Sequence, residues 1–216
     1  MKRFRIFYFL VLFSLIFIGC MKNDSEEFYT VLGTVDKEND STIIVSDDDE
    51  RLLVNNAGSL SEINSNERII AYFSIADQAL PTGIDYVVDI FNFSKVLFKP
   101  VIELTAENAD SIGVDPLEVY NIWLVKDYLN LEFKYFGFDK IHYINLTRAP
   151  GEIPTDTIDL EIKHNDNGDG SSYTMNGFVS FDLVSLQSEV KDSVVIHVQA
   201  DEYYNETYSK FFTYKY

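Results

Sequence analysis

The stretch Asn165-Asp166-Asn167-Gly168-Asp169-Gly170 sets side-chain oxygens at a spacing that suits a hard cation. Asn165, Asn167 and Asp169 stand at the first, third and fifth positions of a calcium loop, and Gly170 at the sixth, where such a loop turns sharply. The pattern then departs. The twelfth position needs a bidentate Glu and is Asn176, and the flanks Ile158-Lys163 and Ser172-Phe181 read as strands rather than helices. Asn, Asp and Gly also supply the positive φ and side-chain turns of a tight connection, so the stretch is expected to be a hairpin loop that holds no metal.

The chain has three histidines, His142, His164 and His197, each in or at the end of a strand-like run. No nucleophile elbow, no His-Glu-x-x-His and no phosphate-cradling glycine loop accompanies them. His142, in "KIHYINL", has the most apolar surroundings, and a histidine hydrogen-bonded between strands is expected there rather than a general base. With 35 acidic residues in the chain, some carboxylates must lie close together, so proximity alone is no sign of catalysis. Asp47-Asp48-Asp49-Glu50, between two short β runs, reads as an exposed turn. The expectation is a protein that is not an enzyme and takes no cofactor.

The one cysteine, Cys20, has no disulfide partner in the chain and lies between an apolar run and an acidic one. Upstream, Lys2, Arg3 and Arg5 precede an apolar stretch from Ile6 to Ile18 broken only by Ser14, which is the pattern of a secretory signal. The stretch is short for a bilayer span of about 20 residues and ends at the small Gly19. Phe17-Ile18-Gly19-Cys20 resembles the lipobox of bacterial lipoproteins, with Phe in place of the usual Leu. That assigns residues 1–19 to a signal peptide, lipidation to Cys20, and residues 20–28 to a tether. Two or more acyl chains anchor a protein stably where one does not, so the membrane is expected as a partner through the N-terminal lipid. Asp24, Glu26 and Glu27 resemble the acidic export signal of Bacteroidota lipoproteins, which implies an outer-membrane location, exposed at the surface, with a periplasm-facing anchor as the alternative.

Charge bounds the partners: 17 basic against 35 acidic residues give a formal −18, and removing residues 1–19 takes away three basic residues and no acidic one. Such a surface repels phosphate backbones, which excludes nucleic acid. The lack of further cysteines removes disulfides and thiolate zinc sites, so stability must come from a hydrophobic core.

The elements that hold these residues are β-strands. Thr157-Ile158-Asp159-Leu160-Glu161-Ile162-Lys163 alternates strictly, and Leu129, Leu131, Phe133 and Tyr135 repeat the pattern around polar neighbours. Ten further runs, from Phe28-Val35 to Thr207-Tyr214, have the β-branched and aromatic content of strands, and no segment sustains a helical period. One helical turn is expected at Thr105-Asp110, with Thr105 as its cap. Pro100 is expected to end the strand-rich segment before it, giving a 29–99 part sized for a small OB-like barrel and a 100–216 part sized for a β-sandwich, with one continuous sandwich as the alternative.

"LTAENADSIGVDPLEVYNIW", "YLNLEFKY", "KIHYINLTR", "DLEIKHNDNGD" and "GFVSFDLVSL" resemble the NigD-like lipoproteins of Bacteroidota, over Leu104 to Tyr214. The resemblance implies an all-β chain: an OB-like barrel followed by an immunoglobulin-like antiparallel sandwich behind a lipoprotein signal. It transfers no catalytic residue. Through the family's link to a bacteriocin gene cluster it implies an immunity or envelope role.

Two readings of function follow: a non-catalytic envelope module for binding or adhesion, whose partner is a glycan, peptide or membrane protein, and a bacteriocin-immunity lipoprotein. Asp110-Ser111-Ile112, Asp156-Thr157-Ile158 and Asp192-Ser193-Val194 also resemble the O-glycosylation pattern of Bacteroidota, so glycan is expected on at least one of Ser111, Thr157 and Ser193. The tyrosines and phenylalanines crowding the C-terminus, from Tyr203 to Tyr216, read first as content of a half-buried terminal strand.

Overall fold

The computed structural model describes residues 27–38, 40–151 and 156–216. Residues 1–19 and Cys20, on which the signal and lipidation expectations rest, lie outside them.

Five strands close a small barrel: β1 (Phe28–Glu38), β2 (Ser41–Ser46), β3 (Arg51–Val54), β4 (Arg68–Ile75) and β5 (Tyr86–Lys95), in the order β1-β2-β3-β5-β4. All its pairings are antiparallel except β3 with β5, the arrangement of an OB-like barrel. Alternation sets its interior: in β4, Ile69, Ala71 and Phe73 point inward and are buried, while Tyr72 points out. The segment between β3 and β4 contributes Leu60 and Ile63, both fully buried, to the same core.

Eight strands follow: β6 (Leu97–Glu103), β7 (Glu118–Val125), β8 (Tyr128–Gly137), β9 (Tyr143–Arg148), β10 (Thr157–Asn165), β11 (Tyr173–Asp182), β12 (Ser193–Asp201) and β13 (Thr207–Lys215), in the order β13-β12-β10-β9-β6-β11-β8-β7. Pro100, expected to end a strand, lies inside β6. Residues 97–100 pair in parallel with β11 and residues 101–103 in parallel with β9, so β6 passes from one layer to the other next to its proline. The missing N–H costs nothing where the strand changes partner. The two layers, β7-β8-β11 and β9-β10-β12-β13, enclose one core in which Leu129, Leu131 and Phe133 of β8 meet Leu160 and Ile162 of β10 and Ile196 and Val198 of β12. This is a β-sandwich, mostly antiparallel, with β10 and β12 as a further parallel pair.

Among the described residues the one α-helix is the short α1 (Ala109–Ile112), later than the turn expected at Thr105-Asp110. Asn108, not Thr105, stands at its cap position, and its side chain makes no cap bond: it accepts the Thr105 N–H and donates to the Glu103 carbonyl. Among the described residues no helix is long and apolar enough to cross a membrane.

Candidate functional site: the cleft between barrel and sandwich

The Asn165-Gly170 stretch joins β10 to β11, and these strands do not pair: β10 lies between β9 and β12, β11 between β6 and β8. The expected hairpin is therefore a crossover from one layer of the sandwich to the other. Turn chemistry is the same for both, so the local sequence does not distinguish them. The side-chain oxygens of Asn165, Asp166 and Asp169 are spent on the protein itself. Asn165 Oδ1 accepts the Asn167 N–H and Asp166 Oδ1 the Gly168 N–H, while Asp169 accepts the N–H groups of Phe138, Asp139 and Gly170. Asn167 and Gly168 take the positive φ values, 57° and 63°, that the turn requires.

Asp169 also anchors a network that spacing did not reveal. His142 Nε2 lies 3.1 Å from Asp169 Oδ2, His142 Nδ1 lies 2.9 Å from His164 Nε2, and His164 Nδ1 lies 3.2 Å from the Pro116 carbonyl. The carbonyl accepts only, so His164 Nδ1 must donate and its Nε2 accepts from His142. That sets His142 Nδ1 as donor to His164 Nε2 and leaves His142 Nε2 facing the Asp169 carboxylate. Burial pushes the His164 ring below the ordinary histidine range, with the neighbouring His142 adding to that against the bond to Pro116. Burial alone would raise the Asp169 carboxyl, but the Phe138 N–H, the His142 ring and the N–H groups of Asp139 and Gly170 outweigh it and hold it well below the usual carboxylate range. The side chains of His142 and Asp169 are 6% and 1% exposed, and the chain of bonds ends on a backbone carbonyl instead of a nucleophile. It ties the β8–β9 and β10–β11 loops together. His197 is separate: it bonds Asp159 and Ser209 and stacks on Phe211 at 4.1 Å.

Ser111 lies exposed in α1, its hydroxyl bonded to the Asn108 carbonyl, while Thr157 and Ser193, both partly exposed, begin β10 and β12.

The barrel docks on the outer face of β8 and β11 through Arg68, which is 1% exposed. Its guanidinium makes two bonds of 3.0 Å to Asp47, one of 3.3 Å to Thr34 in the barrel, and bonds of 3.2 and 3.3 Å to Ser180 and Asn130 of the sandwich. It also lies 3.9 Å from the centre of the Tyr128 ring. Ser180 and Asn130 face each other across β11 and β8 and are bonded to one another. The Asn130 amide nitrogen has no partner among the described residues.

Beside this knot opens a cleft of about 710 Å³, within the range of ligand sites. Tyr29, Phe73 and Tyr86 of the barrel form one wall and Trp123 with Leu124 and Val125 the other, and Asp47, Asp48 and Glu50 edge it. No Lys, Arg or His is among its lining residues. Asp47 is held by Arg68, and the nearby Lys126 is taken by Asp49 at 2.6 Å, which leaves Asp48 and Glu50 without an ion pair among the described residues. Asp47-Glu50 forms the turn its sequence predicts, and only the tertiary fold sets that turn opposite Trp123.

A closed OB-like barrel docked on a β-sandwich, with an aromatic and acidic cleft at the junction that the His–Asp network does not line, defines a two-part all-β scaffold. The chain belongs to the NigD-like family: the NigD-like C-terminal beta sandwich domain matches residues 100–214. Among solved structures it is similar to a protein of unknown function from Bacteroides vulgatus, at 24% identity over 88% of this chain and 92% of that one, with a TM-score of 0.74. It is also similar to a NigD-like immunity protein from Bacteroides caccae, at 19% identity, 88% and 97% coverage and a TM-score of 0.65. A candidate lipoprotein from Bacteroides fragilis matches at 12% identity, 88% and 98% coverage and a TM-score of 0.63. These likenesses reach across the barrel as well as the sandwich and concern the fold. No curated protein matches the chain.

Proposed function

We propose that this chain is a non-catalytic lipoprotein of the cell envelope, anchored at the outer membrane through Cys20 and exposed at the surface, that binds a peptide or protein partner in the barrel–sandwich cleft. The carrying observation is the cleft itself: Tyr29, Tyr86 and Trp123 present large rigid surfaces with polar handles, the side chains that dominate protein recognition. The use of His142, His164 and Asp169 to tie two loops to the Pro116 carbonyl supports a structural role for them, and the lipobox-like Phe17-Cys20 supports the anchor. A photo-crosslinking residue at Tyr86 in intact cells of the native host should trap an envelope protein, and Cys20→Ala should release the chain from membranes. Membrane retention of Cys20→Ala would remove the anchor, and a Tyr86 probe that traps nothing would remove the cleft.

The likeness to a NigD-like immunity protein favours a second reading, interception of a bacteriocin at the cell surface. Deleting the gene and challenging cells with bacteriocin-producing neighbours separates the two: sensitisation supports immunity, and unchanged survival removes it.

A further inference from the structure

The cleft lies between two open strand edges. β1 pairs with β4 from Phe28 to Thr34 but with β2 only from Gly33 onward, so Phe28 to Leu32 have a ladder on one side alone. The Leu32 carbonyl faces that other side, where the Asp47 N–H reaches it at 3.2 Å. In an antiparallel ladder the direction of N–H and C=O alternates, so Thr30 points both its groups the same way as Leu32, toward the cleft. β7 is the last strand of its sheet. Its Ile122 carbonyl points away from β8 and accepts the Lys210 ammonium at 3.0 Å, so Leu124, two residues on, also turns its N–H and C=O to the open side. Thr30 and Leu124 both line the cleft, and among the described residues neither group has a partner there. Open edges of this kind are templates for an added strand.

We propose that the cleft receives an extended segment of the partner as an added β-strand, carrying at least one basic side chain between Tyr29, Tyr86, Trp123 and the carboxylates of Asp48 and Glu50. The proposal rests on the cleft's being the binding site and names the chemistry of what enters it. Main-chain bonds to Thr30 or Leu124 supply a sequence-tolerant grip, and alternate side chains supply the selection. Charge complementarity names the side chain, because a cleft with aromatic walls, two carboxylates without an ion pair among the described residues and no cation in its lining favours Arg or Lys. Charge equally disfavours the chain's own tether, in which Asp24, Glu26 and Glu27 accompany a single Lys22.

Trp123 is the only tryptophan in the chain, so its fluorescence reports on the cleft directly. The full-length protein in detergent is titrated with a capped hexapeptide alternating valine with arginine, with the glutamate counterpart, and with the arginine peptide N-methylated at alternate amides in either register. The arginine peptide should give a saturable change. The glutamate peptide and at least one methylated peptide should bind about tenfold more weakly or worse, the loss expected for one or two net hydrogen bonds or charge contacts. Thr30→Pro, which deletes an N–H facing the cleft and spares the β4 ladder, and Glu50→Lys should each weaken the arginine peptide, with circular dichroism unchanged. If Thr30→Pro disturbs the fold, Glu50→Lys and the methylated peptides carry the test. Binding of both methylated peptides as tight as that of the unmethylated arginine peptide overturns strand addition, and binding of the glutamate peptide as tight as that of the arginine peptide overturns the basic side chain. A protein that binds no peptide yet crosslinks an envelope protein from Tyr86 also overturns strand addition, while leaving the cleft as a site. Failure of both the peptide and the crosslink removes the site itself.

Discussion

Arg68 of the barrel grips Asp47 with two parallel hydrogen bonds of 3.0 Å while its third nitrogen reaches Ser180 of the sandwich at 3.2 Å. One buried cation thus holds the turn after β2, the start of β4 and the face of β8 and β11 in one arrangement, and fixes the floor beside the cleft.

Removing one partner of such a pair leaves an uncompensated buried charge. Arg68→Met is expected to cost about 3–5 kcal/mol in urea denaturation, whereas Arg68→Met with Asp47→Leu should cost less than Arg68→Met alone. A loss below about 1 kcal/mol for the single variant would make the pair no stronger than a surface ion pair.

The His142–His164–Asp169 network predicts how stability depends on pH. His164 titrates below its ordinary value when folded, so the unfolded chain takes up that proton first. Its contribution is present above about pH 6.5 and declines as pH falls from there. Asp169 is also held low, so a second loss begins as pH falls below about 3.9, the ordinary Asp value. His164→Phe should flatten the first decline and Asp169→Asn the second in thermal melts recorded from pH 8 to 3. Unchanged slopes in both variants would show that the network does not couple to folding.

Gly113 has φ of +79°, and a Cβ there would lie 2.5 Å from Asn165 Cβ and 2.6 Å from the His164 carbonyl oxygen. Neither β10 atom can move without shifting its strand. Gly113→Ala should therefore destabilise by about 1–3 kcal/mol or more, through overpacking and backbone strain together. By contrast Gly58, where a Cβ meets nothing, should tolerate alanine within about 0.5 kcal/mol. Equal effects at the two positions would contradict the close approach of α1 to β10.

Ser111, Thr157 and Ser193 keep part of their surface open to solvent, where a bulky sugar displaces no core residue. The expectation is glycan on at least one of them in protein from the native host. An intact mass equal to peptide plus lipid would end it.

What the sequence determined by itself is local. Strict alternation from Thr157 to Lys163 and from Leu129 to Tyr135 specifies strands and which side chains face a core, because side-chain direction along a strand depends only on position within it. The quoted motifs were enough to point to the family. Partner choice is not local. Whether Asn165-Gly170 turns back as a hairpin or crosses between layers, and whether β6 ends or changes partner next to Pro100, is decided by which distant strands bury their apolar faces together. The same holds for the sites. His142 and Asp169 are 27 residues apart, and Arg68 and Ser180 are 112 apart, so no spacing rule connects them. The cleft exists only because packing sets the open half of β1 beside the last strand of the sandwich, and backbone groups left without a partner by that packing carry no mark in the sequence.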